Sequence, residues 1–314
     1  MDFGLIDDNM NEQQVTDNSN HKAGFINIIG SPNVGKSTLM NALVGEKLSI
    51  ITPKAQTTRH RILGIVNGTD YQIVYSDTPG ILKPAYRLQH SIMKFVNTAV
   101  KDADLILYIT DVAESRNISE PHNVTFSGIK KTGIPALLIL NKIDLSSQDE
   151  VEKLVDKWHN LFPGHEVFPV SALHFFNLDN LVKRIIELLP VSPPYFDKED
   201  LTDKPVRFFI SEIIREKILN YYRKEIPYSV EVVLEEFNES ENLVKIRSVI
   251  YVERESQKGI LIGHKGEALK KVGIKARTDI EAFLGKKAYL ELYVKVDKDW
   301  RNNEQKLKIY GYDT

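Results

Sequence analysis

An eight-residue run, Gly30-Ser31-Pro32-Asn33-Val34-Gly35-Lys36-Ser37, constrains this chain more than any other stretch of it. It lies between an apolar segment, Phe25–Ile29, and a helical pattern over Lys36–Val44. The spacing is that of a phosphate-binding loop. Glycine lets backbone N–H groups turn inward around phosphate oxygens, and the following helix N-terminus adds a favourable potential. Lys36 is then expected to reach the β- and γ-phosphates, with the Ser37 hydroxyl on Mg²⁺. Taken alone, the same run could be a Gly-rich turn before an ordinary helix.

The surrounding rhythm supports the phosphate reading. Apolar strands are expected at Phe25–Ile29, Gln72–Tyr75, Leu105–Ile109, Pro135–Leu140 and Glu166–Val170, with a more polar edge strand at His60–Val66. Helical patterns follow at Lys36–Val44, Leu88–Val100, Pro121–Lys131, Glu150–Phe162 and Leu178–Leu189. This alternation predicts an α/β, doubly wound, mostly parallel sheet whose ligands sit beyond the carboxyl ends of the strands. At 314 residues the chain exceeds what one core usually supports, so a second domain is expected. Residues 1–22 read as a flexible acidic tail, 23–190 as the nucleotide domain, 191–204 as a linker broken by Pro193 and Pro194, and 205–314 as a smaller α+β domain. The chain has no cysteine, which excludes disulfides and thiolate metal sites and fits a reducing cytosol. No apolar run is long enough to span a bilayer, and the start lacks a secretion signal pattern.

Three further motifs fall at expected strand ends. Asp77-Thr78-Pro79-Gly80 offers a carboxylate for the Mg²⁺ shell and a Gly80 N–H for a γ-phosphate. Asn141-Lys142-Ile143-Asp144 selects the base: a carboxylate at Asp144 can accept from guanine N1–H and its 2-amino group, whereas adenine would leave it unpaired. Ser171-Ala172-Leu173 is placed to give a backbone N–H to guanine O6. Between the first helix and the edge strand, Gln56-Thr57-Thr58-Arg59-His60 contains a threonine suited to complete Mg²⁺ coordination when a γ-phosphate is present, the order–disorder device of GTPases. Each motif alone could be a polar turn; their order along the chain argues otherwise.

The strings Pro53-Lys54-Ala55-Gln56-Thr57-Thr58-Arg59-His60-Arg61-Ile62, Tyr251-Val252-Glu253-Arg254-Glu255-Ser256-Gln257-Lys258-Gly259 and Lys295-Val296-Asp297-Lys298-Asp299-Trp300-Arg301 carry a resemblance across residues 24–314. The first domain resembles translation-factor-related GTPases, and the whole resembles the Era-like GTPases of bacterial ribosome assembly. The resemblance implies GTP hydrolysis with Lys36, Asn33 and Thr58 as catalytic residues, and Ser37, Thr58 and Asp77 around Mg²⁺. It also implies a potassium ion beside the phosphates at Asn33, although Asn33 could equally form an Asx turn. Ile81 stands where Ras-like proteins carry a water-orienting Gln, and Leu82 where relatives often place His. Unaided hydrolysis is therefore expected to be slow, on the order of 10⁻⁴–10⁻³ s⁻¹.

In the second half, Gly263-His264-Lys265-Gly266 sits between two helical patterns, among Lys258, Lys270, Lys271, Lys275, Arg277, Lys286 and Lys287. The order helix–strand–strand–helix–turn–helix–strand resembles a type II KH domain, whose Gly-x-x-G loop clamps about four unpaired nucleotides. The formal net charge of −2 means that any basic surface is local. The resemblance implies the 3′ end of 16S ribosomal RNA and the 30S subunit as partners, no DNA, a monomer, and a cytoplasmic protein with peripheral contact at the inner membrane face. A signalling GTPase docking on protein or membrane, and a P-loop kinase or ATPase, are the alternatives. The basic Gly-x-x-G loop disfavours the former, and Asp144 the latter.

Overall fold

The computed structural model describes residues 20–54, 56–118, 129 and 132–312. Most of the expected acidic tail and most of the expected helix at Pro121–Lys131 lie outside them.

Six strands form the first sheet: β1 (Lys22–Gly30), β2 (Ile62–Asn67), β3 (Tyr71–Asp77), β4 (Leu105–Asp111), β5 (Ala136–Asn141) and β6 (Glu166–Pro169). Their spatial order is β2-β3-β1-β4-β5-β6, all parallel except the β2–β3 pair. Strand side chains alternate between faces, and both faces here are apolar. Leu105, Leu107 and Ile109 of β4 join one core, while Ile106 and Tyr108 join the other. Helix α1 (Lys36–Val44) contributes Leu39, Met40 and Leu43 to the first core. Helices α2 (Arg87–Lys101) and α3 (Val112–Asn117) follow along the chain, and α4 (Gln148–Leu161) sends Leu154 and Trp158 into the second core. Helix α5 (Leu178–Leu188) returns to the first core with Leu181 and Ile185. Because β1 lies between β3 and β4, connections leave it in opposite directions, which opens the crevice where the phosphate loop sits.

The second domain runs α6 (Val206–Tyr221), a short α7 (Ile226–Ser229), β7 (Glu231–Glu239), β8 (Leu243–Val252), α8 (Glu255–Ile262), α9 (Glu267–Leu284) and β9 (Lys287–Val296). The sheet order is β7-β8-β9, antiparallel then parallel, with Ile210, Ile214 and Ile218 of α6 and Val272, Ala276 and Ile280 of α9 packed on one face. This is the α+β arrangement of a type II KH domain. The final helix, α10 (Glu304–Ile309), brings Leu307 and Tyr312 together with Trp300 onto Leu88 and Ile92 of α2, so the two halves share a small core.

Residues 191–204 do not form a free tether. Gln72 donates to Phe196 O and accepts from the N–H groups of Tyr195 and Phe196. Further along, Leu201 O accepts from Ile65 N at 2.9 Å. Thr202 bridges to Gly64, and Asp203 accepts from Leu63 N.

Candidate nucleotide and RNA sites

The phosphate loop is built by close approach. Gly35 takes φ 103°, and a Cβ there would stand 2.3 Å from Asn141 Nδ2. Gly35 also N-caps α1 without a side-chain acceptor, so the first N–H groups of that helix remain directed at the loop. Within the loop, the Lys36 amine donates to Gly30 O at 3.1 Å and Ser31 O at 2.7 Å. Burial pushes this amine down to about 8, against the pull of the Asp77 and Glu114 carboxylates. Bringing phosphate oxygens beside it would favour the charged form again. Ser31 donates to Glu114 of α3, which sequence reading missed; Thr110 donates to the other Glu114 oxygen at 2.9 Å.

Three oxygens converge beside Lys36. Ser37 Oγ lies 2.8 Å from Asp77 Oδ2 and 3.0 Å from Thr58 Oγ1, and Thr58 donates to the same Asp77 oxygen at 3.2 Å. Burial raises the Asp77 carboxyl above its ordinary value, while hydrogen bonds from Ser37 and Thr58 and the Lys36 charge oppose it. Two hydroxyls and one carboxylate are a hard donor set too small to cage a metal alone. That suits Mg²⁺, which keeps waters and takes phosphate oxygens as its remaining ligands. Among the described residues no cluster of three His, Cys, Asp or Glu could hold a metal instead. The Thr78 hydroxyl is committed to Ile28 O at 2.8 Å, Pro79 is buried, and Gly80 lies against Pro32. Ile81 donates its N–H to Gly30 O at 3.3 Å and presents no polar head.

The base-side loops are bolted to the phosphate loop. Asn141 donates to Val34 O at 2.9 Å and accepts from Ala172 N at 3.0 Å. Lys142, with φ 60°, reaches Asn33 O at 2.6 Å and Asp111 Oδ2 at 2.7 Å. Asp111, another residue not singled out from sequence, ends β4 and caps α3 by accepting from Glu114 N. Ile143 is half-buried, and Asp144 accepts from the Ser171 hydroxyl at 2.5 Å, which joins the third and fourth motifs. Leu173 is exposed beyond them. A crevice of about 420 Å³ is lined by Asn33, Lys36, Ser37, Thr58, Gly80 and Lys142, with Ile50–Lys54 as a wall of which only Pro53 and Lys54 stand in a string singled out from the sequence. The Asn33 side chain, at φ 66°, donates to Pro53 O at 3.3 Å across this crevice.

In the second domain, Gly263 takes φ 70° and leaves no room for a Cβ, which would meet Ala268 Cβ at 2.6 Å. The loop therefore turns α8 sharply into α9. Gly266 N-caps α9 without a side-chain acceptor, as Gly35 does for α1. His264, Lys265 and Lys270 are exposed and Lys258 is half-buried. None of these lysines has an ion pair among the described residues, whereas Lys286 and Lys287 are paired with Glu239 and Glu281. The free basic surface is thus narrower than the sequence implies. Beside the loop runs a groove of about 370 Å³ between α9 and β9, lined by Leu269, Lys270, Ile274, Arg277, Tyr289 and Leu290. Along α9 and its cap, Gly266, Lys270, Gly273 and Arg277 recur every three or four residues, a helical signal present in the sequence, whereas Tyr289 and Leu290 come from β9, which that spacing does not reach.

Comparisons with known proteins agree with this architecture. The family described as 50S ribosome-binding GTPase matches residues 25–142, and the KH domain family matches residues 225–301. The chain is 43% identical over 292 residues to GTPase Era of Geotalea daltonii, covering 93% of this chain and 98% of that one. GTPase Era of Clostridium kluyveri is equally similar, at 43% with 93% and 99% covered. Among solved structures, Era in complex with MgGDPNP and nucleotides 1506–1542 of 16S ribosomal RNA superposes with a TM-score of 0.89 at 40% identity, covering 94% of this chain and all of that one. A variant of Aquifex aeolicus Era bound to GDP and AlF4⁻ gives the same score and identity, covering 93% and 100%. With 43% identity over 93% of its length to relatives that it covers almost entirely, and with these two folds in sequence, the chain belongs to their family: it is a GTPase of the Era family.

Proposed function

We propose that this GTPase uses its KH domain to hold the unpaired 3′ end of 16S ribosomal RNA, and that it acts as a nucleotide-controlled checkpoint in 30S subunit maturation. The observation that carries the proposal is the Gly263–Gly266 loop with its unpaired lysines beside an apolar groove. Phosphates can approach the main chain there while bases lie against Ile274 and Tyr289. The bound RNA and the Mg-bound nucleotide of the 40% identical Era structure support the same reading.

In the nucleotide domain, Lys36 neutralises the β- and γ-phosphates, and Ser37, Thr58 and Asp77 would hold Mg²⁺, which would offset the charge that develops on the transferring phosphoryl oxygens. Gly30, Ser31, Pro32, Asn33, Val34 and Gly35 wrap the phosphates. Asp144 reads the base, with Asn141, Lys142, Ile143 and the Ser171–Leu173 turn placing it. Asn33 helps to bind a potassium ion beside the phosphates, where Ile81 can orient no water. Lys258, His264, Lys265 and Lys270 contact the RNA backbone. The protein works as a monomer in the cytoplasm, and any membrane contact is peripheral; among the described residues no helix is long and apolar enough to cross a membrane.

The test is filter binding of a 3′-terminal 16S segment with a non-hydrolysable GTP analogue and with GDP. A coupling of about 1–3 kcal/mol makes the analogue state bind about 5- to 150-fold tighter. Reciprocity requires the RNA to tighten GTP by the same factor. Identical RNA affinities in the two states would mean that the domains share a chain but not a switch.

A further inference from the structure

The loop that carries Thr58 is held on both sides by the second domain. Before it, the Thr57 carbonyl accepts from Arg215 Nη2 at 2.5 Å. After it, Arg59 donates to Val230 O at 2.7 Å and Pro227 O at 3.1 Å, and pairs with Glu231 at 3.3 Å. Upstream, the Lys54 amine donates to the carbonyls of Leu219 and Tyr222 at the end of α6. Of these anchors Arg215 is the most deeply placed. It is 2% exposed, and its Nε and Nη2 both donate to Glu212 on the same helix at 2.6 Å.

A buried ion pair is a poor device for stability alone, because desolvation offsets much of the attraction and an apolar pair of equal size often does as well. Burial would raise the Glu212 carboxyl, yet Arg215 outweighs it and keeps that carboxyl below its ordinary value, so the pair stays ionised. Glu212 orients the guanidinium, and the hydrogen bond that Arg215 makes beyond its own helix lands on the residue before Thr58.

We infer that Arg215 is a positioning residue for Thr58: by fixing the Thr57 carbonyl it sets the Thr58 hydroxyl against the Ser37 and Asp77 oxygens, so α6 of the KH domain tunes the metal site that responds to the γ-phosphate. The inference rests on Thr58 being a Mg²⁺ ligand in the triphosphate state, and the test separates the two.

The double variant Glu212→Gln/Arg215→Met removes both buried charges at similar volume, so no orphaned carboxylate unfolds the interface. Arg215→Lys keeps a donor. Fluorescent GDP and a fluorescent non-hydrolysable GTP analogue are titrated onto the full chain across a range of Mg²⁺ concentrations, with Thr58→Ala in parallel. GDP needs no contact from Thr58, so its affinity reads the fold. The double variant is expected to keep GDP affinity within twofold and to lose analogue preference over GDP by about fivefold or more. Its half-saturating Mg²⁺ for the analogue rises, and Arg215→Lys recovers part of the loss. A wild-type analogue preference in the double variant, with Thr58→Ala impaired, overturns the inference and spares the metal assignment. Equal losses of GDP and analogue affinity would reduce Arg215 to a structural role and overturn it too. If Thr58→Ala changes nothing, the metal assignment fails and the inference falls with it.

Discussion

The nucleotide crevice and the KH groove meet anionic ligands in opposite ways. In the first, the lysines have partners in place: Lys36 lies on two loop carbonyls and Lys142 on Asn33 and Asp111. Asn141 ties two loops together, and Asp144 is oriented by Ser171. In the second, Lys265 and Lys270 extend into solvent without ion pairs, and glycine main chain supplies the surface. Fixed acceptors discriminate, because a wrong ligand leaves them unpaired. Mobile cations attract any phosphate chain and leave selection to the groove beside them. A point change should therefore alter specificity in the crevice and affinity in the groove.

The sharpest way to break that contrast is Asp144→Asn. An amide loses one acceptor for guanine and gains a donor that suits a xanthine carbonyl, so the ratio of GDP to xanthosine diphosphate affinity is expected to fall by about a hundredfold or more. A ratio within twofold of wild type removes Asp144 from base recognition.

On the RNA side, Gly266→Asp is expected to weaken RNA binding by about tenfold or more while guanine nucleotide affinities stay as they are. Nothing lies within 4 Å of a Cβ at Gly266, and although φ is 80° there, Asp tolerates the left-handed region better than most residues. The fold should persist, and filter binding beside nucleotide titration reads the two arms. A loss of both affinities would mean that the change unfolds the domain rather than repelling phosphate.

A third test addresses the seam between the regions. The His60 ring stacks on Tyr312 with centroids 4.5 Å apart, and burial pushes its pKa down to about 4. Such a histidine is neutral when folded, so its contribution is intact above pH about 6.5 and is lost as pH falls from there toward 4. The residue as a whole is only half-buried, which limits the effect to about 1–2 kcal/mol. Urea midpoints from pH 7 to 4.5 should fall more steeply for the wild type than for His60→Phe. Parallel curves would clear His60 of the acid sensitivity.

The smallest expected effect concerns Asn33. GTP turnover should be several-fold faster in potassium than in sodium, and Asn33→Ala should flatten the difference. Equal turnover in the two salts for the wild type removes the cation from the mechanism.

Much of the first domain could be read from residues because its information is local and periodic. Apolar runs of four to six residues matched five of its strands to within three residues at each end, and glycines marked the loops after β1 and β3. The edge strand was displaced from His60–Val66 to Ile62–Asn67, since His60 is drawn off to stack on Tyr312. Helix α3 escaped notice because Val112–Asn117 is only six residues long and polar; what defines it is the Asp111 cap. In the second domain β7 begins only at Glu231, because Pro227 and its neighbours close a helical turn first. Least legible were the contacts between the halves. Arg215 to Thr57, Arg59 to Val230 and Lys54 to Leu219 run from side chain to main chain across more than 150 residues, and such bonds leave no periodic trace.

The segment around Leu201–Asp203 does more than connect. Strand β2 is an outer strand of a six-stranded sheet, and its free N–H and C=O groups would offer a template to any extended chain. Ile65 N–H, Gly64 and Leu63 N–H are instead occupied by Leu201, Thr202 and Asp203. The connector thus acts as a guard against edge-to-edge aggregation. A GTPase fragment ending at residue 204 should stay dispersed, whereas one ending at 190 should self-associate through the bared strand, a contrast that light scattering of the two fragments would register.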